Sequence, residues 1–304
     1  MNLSGVIAQL ISLFLMMFVG YIAARAQIIT PDFRKRLSTF TLSVAAPGVI
    51  LSSALQSEMP ASGMLTVLLI ATLFFVIMIP LAAVLSRVLS ARPQERKLDQ
   101  LMLVFTNVGF MGIPVAQALY GMNGVAMVSM FILTFNLAFF SYGLMLISGE
   151  MTFNLRSLCN PCIFAALGAL FFALTGLHLP GPIESTLASI GSMNTPLAMI
   201  IIGASLAHSD LRVALTNPRL YKISLARMLI MPLCMLAIMR LLPIDPMLAG
   251  VAVCEAAMPV AGNCAMASDM YTPEDMTASH AVIVSTLMSA LSLPVICWLI
   301  SVAL

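Results

Sequence analysis

Charge is what this chain has least of. Lys, Arg, Asp and Glu make up 9% of its 304 residues, against 61% hydrophobic residues and a mean hydropathy of +1.06. Soluble domains carry roughly 25% charged residues, so the shortage excludes an ordinary soluble fold and predicts an integral membrane protein. The net charge of +2 gives no sign of a nucleic-acid partner, and none is expected. The sequence also lacks the alternation of about ten residues that marks an outer-membrane barrel strand. Its apolar runs of about 20 residues instead fit helices crossing a hydrocarbon core of about 30 Å. Met1 to Gln9 has no basic n-region, and no small-residue cleavage site follows the first apolar run. That run reads as a retained first helix and not as a signal peptide.

Metal and catalytic chemistry is equally sparse. The six cysteines are scattered. Cys159 and Cys162 have CxxC spacing, but Asn160-Pro161 lie between them and no second pair or histidine cluster completes a zinc set. They read as small residues at a helix entrance. There is no pair of buried aspartates, no Ser–His pair at a common depth and no nucleotide-binding loop, so the chain reads as no enzyme and needs no cofactor. His178, His208 and His280 fall at or near helix ends and read as interfacial.

What is present is a helix that should not stay helical. Thr106-Asn107-Val108-Gly109-Phe110-Met111-Gly112-Ile113-Pro114 puts two glycines, a proline and an asparagine inside an apolar segment. Proline removes a backbone donor and crowds the preceding turn, and glycine costs backbone entropy. A second interrupted segment follows about 150 residues later, Met258-Pro259-Val260-Ala261-Gly262-Asn263-Cys264. Broken backbone inside a bilayer is tolerated where it lines a cavity or is buried in protein. Two such segments in corresponding halves point to a transporter's substrate site.

Ten spans are expected, at about residues 4–24, 37–55, 64–89, 98–120, 122–148, 159–177, 183–207, 218–242, 246–270 and 275–302. Thirteen of the fourteen Lys and Arg fall in the loops after the odd-numbered spans or at the adjoining helix ends, and only Arg240 lies toward the other face. The positive-inside rule makes those loops cytoplasmic and puts both termini outside, in a cell inner membrane. Pro47 in span two matches Pro196 in span seven, Pro80 matches Pro232, and the break at Asn107 matches Pro259, at separations of 149, 152 and 152 residues. Five spans per half then give an inverted-topology repeat, with 1–148 as the first half, 149–158 as a cytoplasmic linker and 159–304 as the second half.

The residues resemble a known family. Phe18-Val19-Gly20-Tyr21 and Leu42 to Leu55 with its central Pro47 are similar to the opening of the auxin efflux carrier family. So are Phe105 to Pro114, Ala118-Leu119-Tyr120-Gly121, Asn160-Pro161, Pro196 through Ile202-Gly203-Ala204-Ser205-Leu206, and Ala257-Met258-Pro259. The similarity runs through the whole chain in order, without the long central loop of the plant carriers. It implies a fold similar to the bile acid:sodium symporters, with broken helices four and nine crossing near the membrane midplane. It also implies transport of an organic anion: bacterial relatives are associated with malonate, malate and other carboxylates, and the plant branch with auxin. Homodimers are known in the plant branch, and a homodimer is a partner the resemblance implies.

Candidate residues follow from the broken-helix physics. Amide ends carry partial positive charge and suit a carboxylate, while carbonyl ends suit a cation or proton donor. Gly109, Gly112, Pro114 and Pro259 would make the gap, Asn107 and Asn263 would line it, and Pro47 and Pro196 would serve as hinges. Asn107 and Asn263 could also simply cap the broken ends. Glu255, one turn before Pro259, is an intramembrane carboxylate and so a functional candidate by default. It could couple transport to H+ or Na+, or be a permanently protonated structural group. Arg227, about 13 Å along its helix from Pro218, could face the cavity and attract the anion, snorkel to the cytoplasmic surface or form an ion pair. Ser285, Thr286, Ser289 and Ser292 read as a helix-packing face. A secondary carrier for small organic anions is therefore expected, with a receptor, a sensor or a channel on the same fold as the alternatives.

Overall fold

The computed structural model describes residues 3–57, 61–149, 161–208, 211–271 and 276–304. The expected linker, Gly149 apart, lies outside the described residues, as do Arg156, Cys159, Glu274 and Asp275. The described chain is helical throughout its regular elements, with no named strand. In order it forms α1 (Leu3–Arg25), α2 (Pro31–Phe40), α3 (Ala46–Gln56), α4 (Ala61–Leu89), α5 (Arg96–Val104), α6 (Ile113–Ala138), α7 (Leu144–Ser148) and α8 (Pro161–Thr175). There follow α9 (Gly181–Ser192), α10 (Asn194–Ala207), α11 (Leu211–Thr216), α12 (Pro218–Leu225), α13 (Met231–Leu241), α14 (Pro246–Ala256), α15 (Gly262–Tyr271) and α16 (Thr277–Ala303).

Among the described residues, six helical stretches are long and apolar enough to cross a membrane: Pro31–Gln56, Ser62–Leu89, Val108–Ser148, Gly181–Ala207, Pro218–Leu241 and Thr277–Ala303. Shorter apolar helices cover Leu10–Arg25, Pro161–Thr175 and Pro246–Ala256. The Val108–Ser148 stretch is not one rod. Gly121 has φ 63° and ψ −149° within it, a backbone that glycine alone adopts readily, and the helix direction changes there. Large apolar side chains such as Leu69, Val88 and Leu291 are exposed, as expected of surface that faces lipid.

Proline explains several irregularities. Wide π-helical turns at Thr41–Ala45, Val108–Gly112 and Ala226–Ile230 each run into a proline two residues further on, Pro47, Pro114 and Pro232. The proline ring crowds the carbonyl four residues back and offers no N–H, and a widened turn accommodates both.

The chain divides into two compact units. The first takes residues 1–69, 109–133 and 158–209, and the second takes 70–108, 134–157 and 210–304. Each unit therefore draws helices from both halves of the sequence. In the first, α1 packs along α10, and α3 packs on α8 and α9. Small residues let the backbones meet: a side chain on Gly203 would collide with the Met17 carbonyl, and one on Gly20 with that of Ile200. Gly48 meets Gly191 in the same way between α3 and α9. The Arg34 guanidinium donates to Ser205 Oγ at 2.8 Å, tying α2 to α10. In the second unit α14 packs on α13 and α16, α16 also on α12 and α15, and the short α5 touches α7, α12, α15 and α16.

Candidate functional site

The second unit is built around two unwound segments. α5 stops at Val104, where Phe105 turns to an extended conformation with φ −93° and ψ 112°. α14 stops at Ala256, and α15 starts only at Gly262. The connecting residues lie antiparallel, with Thr106 and Val260 paired as in a β-bridge. The Asn107 N–H donates to the Pro259 carbonyl at 2.9 Å, and the Ala261 N–H donates to the Phe105 carbonyl at 3.0 Å. Each break thus supplies acceptors for donors that the other leaves without a helical partner. Buried backbone far from water requires such mutual satisfaction.

Neighbouring side chains complete the arrangement. The Val260 N–H donates to Ser285 Oγ of α16 at 3.1 Å, while the Ser285 hydroxyl donates to the Ala281 carbonyl at 2.7 Å. Ser285 therefore bonds across helices, and its partner is the break itself. Phe105 is fully buried, with ring centroids 6.1, 5.5 and 5.0 Å from those of Phe75, Phe135 and Phe139. This aromatic cluster holds the end of α5 in place. The Thr106 hydroxyl is buried beside the bridge, without a hydrogen-bond partner among the described residues.

Arg227 does not snorkel. It lies in the π turn between α12 and α13, its side chain is fully buried, and its Nη1 donates to the Leu103 carbonyl at 3.1 Å. Because α5 breaks at Phe105, carbonyls at its end such as that of Leu103 lie beyond the last helical donor and form a partial negative end. The guanidinium is drawn to that end and not to the bilayer surface. Its Nε and Nη2 have no hydrogen-bond partner among the described residues. Glu255, in the last turn of α14, is also fully buried, and neither of its oxygens has a hydrogen-bond partner among the described residues. No hydrogen bond joins it to Arg227.

Asn107 enters the bridge through its backbone, and its side chain is buried. Asn263 is the second residue of α15 and is half-buried. The second unit therefore gathers Asn107, Pro259, Asn263, Arg227 and Glu255. Gly109, Gly112 and Pro114, although continuous with Asn107, belong to the first unit, as do Pro47 and Pro196. An added Cβ at Gly109 or at Gly262 would meet nothing within 4 Å, so both glycines border open space.

A further polar cluster in the second unit joins residues far apart in the sequence. Asp99, fully buried in α5, accepts from Arg219 Nε at 3.0 Å and Nη2 at 2.7 Å, and from Ser90 Oγ at 2.6 Å. Arg219 Nη1 also lies 3.5 Å from Glu95 Oε1. This group ties the start of α12 to α5 and to the end of α4. Its sequence signal was an aspartate in the first turn of an apolar helix, a position that needs a cation. Among the described residues no group of three or more His, Cys, Asp or Glu side chains could hold a metal ion.

Comparison with known proteins bears on what this architecture does. A family model described as "Membrane transport protein" matches residues 5–152 and 147–297. An uncharacterized transporter of Methanothermobacter thermautotrophicus is 27% identical over 307 residues, covering 95% of this chain and 97% of that one.

Proposed function

Because the chain belongs to the membrane transport protein family, we propose that it is a secondary carrier of small organic anions that works by alternating access at the two paired breaks. The observation that carries this reading is the exchange of hydrogen bonds between Asn107 and Pro259 and between Ala261 and Phe105, beside the buried Arg227. Two interrupted apolar helices meeting in this way form the kind of site at which transporters bind polar cargo. The Arg227 guanidinium keeps two nitrogens without partners, a donor pair that suits a carboxylate. Asn107, Asn263, Gly109, Gly112, Pro114 and Pro259 frame the path, Pro47 and Pro196 are its hinges, and Glu255 couples it to a cation.

The wider architecture is read as ten spans in an inverted repeat. The split at Gly121 supports separate fourth and fifth spans, and α1, α8 and the α14–α15 pair supply spans too short or interrupted to stand out by length. The clustering of basic residues supports cytoplasmic loops after the odd spans, an inner-membrane location and both termini outside. Malonate, malate and related carboxylates are the cargo that the resemblance favours.

The test is counterflow. Purified protein in liposomes preloaded with unlabelled malonate or malate should accumulate the labelled anion transiently, and saturably with concentration. A carboxylate that binds the folded state should also raise the melting temperature. A panel of mono- and dicarboxylates giving neither counterflow nor a thermal shift would overturn the anion reading. Current without counterflow would favour a channel.

A further inference from the structure

A buried cation needs a counter-charge, and Arg227 has none bonded to it. Its side chain is fully buried, and among the described residues the arginine that forms ion pairs is Arg219, not Arg227. Nη1 is engaged by the Leu103 carbonyl at 3.1 Å. Nε and Nη2, which together make one edge of the planar guanidinium, have no hydrogen-bond partner among the described residues. Arg219, in the same unit, shows what that edge does when it is filled: its Nε and Nη2 both donate to the Asp99 carboxylate, at 3.0 and 2.7 Å. A side-on pair of N–H groups matches the plane of one carboxylate.

The neighbourhood holds little for a second anionic group. Leu103 lies in the last turn of α5, next to the paired breaks. There the Asn107, Val108 and Ala261 N–H groups donate to the Pro259, Thr106 and Phe105 carbonyls, and the Val260 N–H donates to Ser285 Oγ. The amide donors that unwinding frees are thus used by the protein itself. The cut end of α5 adds a partial negative charge, about half an elementary charge for a full helix, beside the single positive charge of Arg227. Among the described side chains no other Lys or Arg is fully buried.

We propose that Arg227 holds one carboxylate side-on through Nε and Nη2, and that the protein therefore selects singly charged carboxylates over dicarboxylate dianions. This rests on the carrier reading above and narrows its cargo from organic anions in general to monoanions. Guanidinium and one carboxylate form a neutral pair, the state that a site of low dielectric tolerates. A dianion would leave one negative charge uncompensated at bilayer depth, facing the carbonyl end of α5. A dicarboxylic acid is accepted as its singly ionised form. Arg227 has no exposed surface in this conformation, so the anion reaches it when alternating access opens the second unit to water.

The test compares acids that differ in one charge and little else. Malonamate is malonate with one carboxylate replaced by an amide, and 3-hydroxybutyrate is malate with a methyl group in place of one carboxylate. Counterflow of each labelled acid is measured with intact protein in liposomes at about pH 8, where both carboxylates of malonate and malate are ionised, and protein-free liposomes give the passive leak. The singly charged member of each pair should show a half-saturation concentration about tenfold or more below that of its dianion. Arg227→Lys keeps the charge but not the paired edge. It should raise half-saturation for malonamate about tenfold, with the maximal rate within about threefold of wild type, and should keep the preference for the monoanion. A structural role alone would lower the maximal rate and spare half-saturation. Dianions handled as well as or better than their partners would overturn the selection of monoanions while leaving the carrier intact. Unchanged half-saturation in Arg227→Lys would remove Arg227 from the anion site. Counterflow of none of the four acids would remove the carrier reading, and this inference with it. If Arg227→Lys does not fold, the two wild-type pairs alone decide.

Discussion

The Arg227 guanidinium donates to the carbonyl of Leu103, 3.1 Å away, so the cut end of α5 is closed by a charge from 124 residues further along the chain. That contact makes Arg227 both a structural cap and a candidate anion binder. A cap alone would use all its donors on the protein, whereas here Nε and Nη2 are left over.

Removing that charge should destabilise the protein, and removing its electrostatic neighbour as well should partly compensate. Arg227→Met leaves the Leu103 carbonyl without its guanidinium donor and takes the fully buried cation out of the unit that holds Glu255, a loss of about 1–3 kcal/mol. Glu255→Gln alone should cost about 1 kcal/mol or less. In the double variant the uncompensated carboxylate is gone, and the cycle should show a favourable coupling of about 1–3 kcal/mol. Thermal unfolding of the four proteins in one detergent measures this. Strict additivity would mean that Arg227 and Glu255 do not sense one another.

The Val260 N–H has its acceptor on a different helix, Ser285 Oγ at 3.1 Å. Ser285→Ala strands that buried donor, which should cost about 1–3 kcal/mol. Because the donor lies between the two bridging hydrogen bonds, counterflow should fall at least tenfold. Ser285→Thr keeps the oxygen and should keep most of both. Equal stability and transport in the two variants would show that the break does not depend on Ser285.

How far the sequence revealed this arrangement differs from residue to residue. The breaks were legible because proline and glycine act locally: Gly109, Gly112, Pro114 and Pro259 disrupt helical propensity wherever they stand. The union of the breaks was not, since backbone hydrogen bonds such as Asn107 to Pro259 leave no trace in side-chain identity. The direction of the Arg227 side chain does not follow from its distance along the helix. A π turn at Ala226–Ile230 shifts the face on which the side chain emerges, and a count at a fixed 3.6 residues per turn cannot see that. The spatial units were likewise hidden. A division of the sequence at 149–158 follows the repeat expected from proline spacing, whereas packing mixes α1 with α10 and α3 with α8 and α9. Asp99 gives little sequence signal because its cation, Arg219, lies 120 residues away among the basic residues of another loop.

Glycine substitutions should separate close packing from open space. Gly203→Leu drives a side chain into the Met17 backbone where α1 meets α10, and no flexible neighbour can yield. Loss of folded protein, or destabilisation of at least about 3 kcal/mol, is expected. Gly109→Ala and Gly262→Ala place their new methyl groups where nothing lies within 4 Å, and neither glycine has a positive φ. Both should fold with stability within about 1 kcal/mol of wild type. If they line the substrate path, their malonate counterflow should nevertheless show a raised KM. Size-exclusion profiles, melting curves and counterflow on the three variants check these outcomes together.

The last expectation concerns the Asp99–Arg219 group, which holds α5, whose far end forms the break, against the start of α12, the helix that leads to Arg227. Asp99 is fully buried and accepts two hydrogen bonds from one guanidinium and a third from Ser90. Asp99→Asn removes the charge and leaves Arg219 facing an amide, which should lower stability by about 3 kcal/mol. Arg219→Lys keeps the charge but cannot place two parallel donors on Asp99 Oδ1, so a smaller loss of about 1–2 kcal/mol is expected. Ser90→Ala removes a single hydrogen bond and should cost about 1 kcal/mol. The order Asp99→Asn, then Arg219→Lys, then Ser90→Ala is the diagnostic, read from melting temperatures in detergent. If Asp99→Asn proved the mildest of the three, the pair would not be what fixes α5 to α12. The alignment of Leu103 with Arg227 would then have to come from the Phe75, Phe105, Phe135 and Phe139 cluster instead.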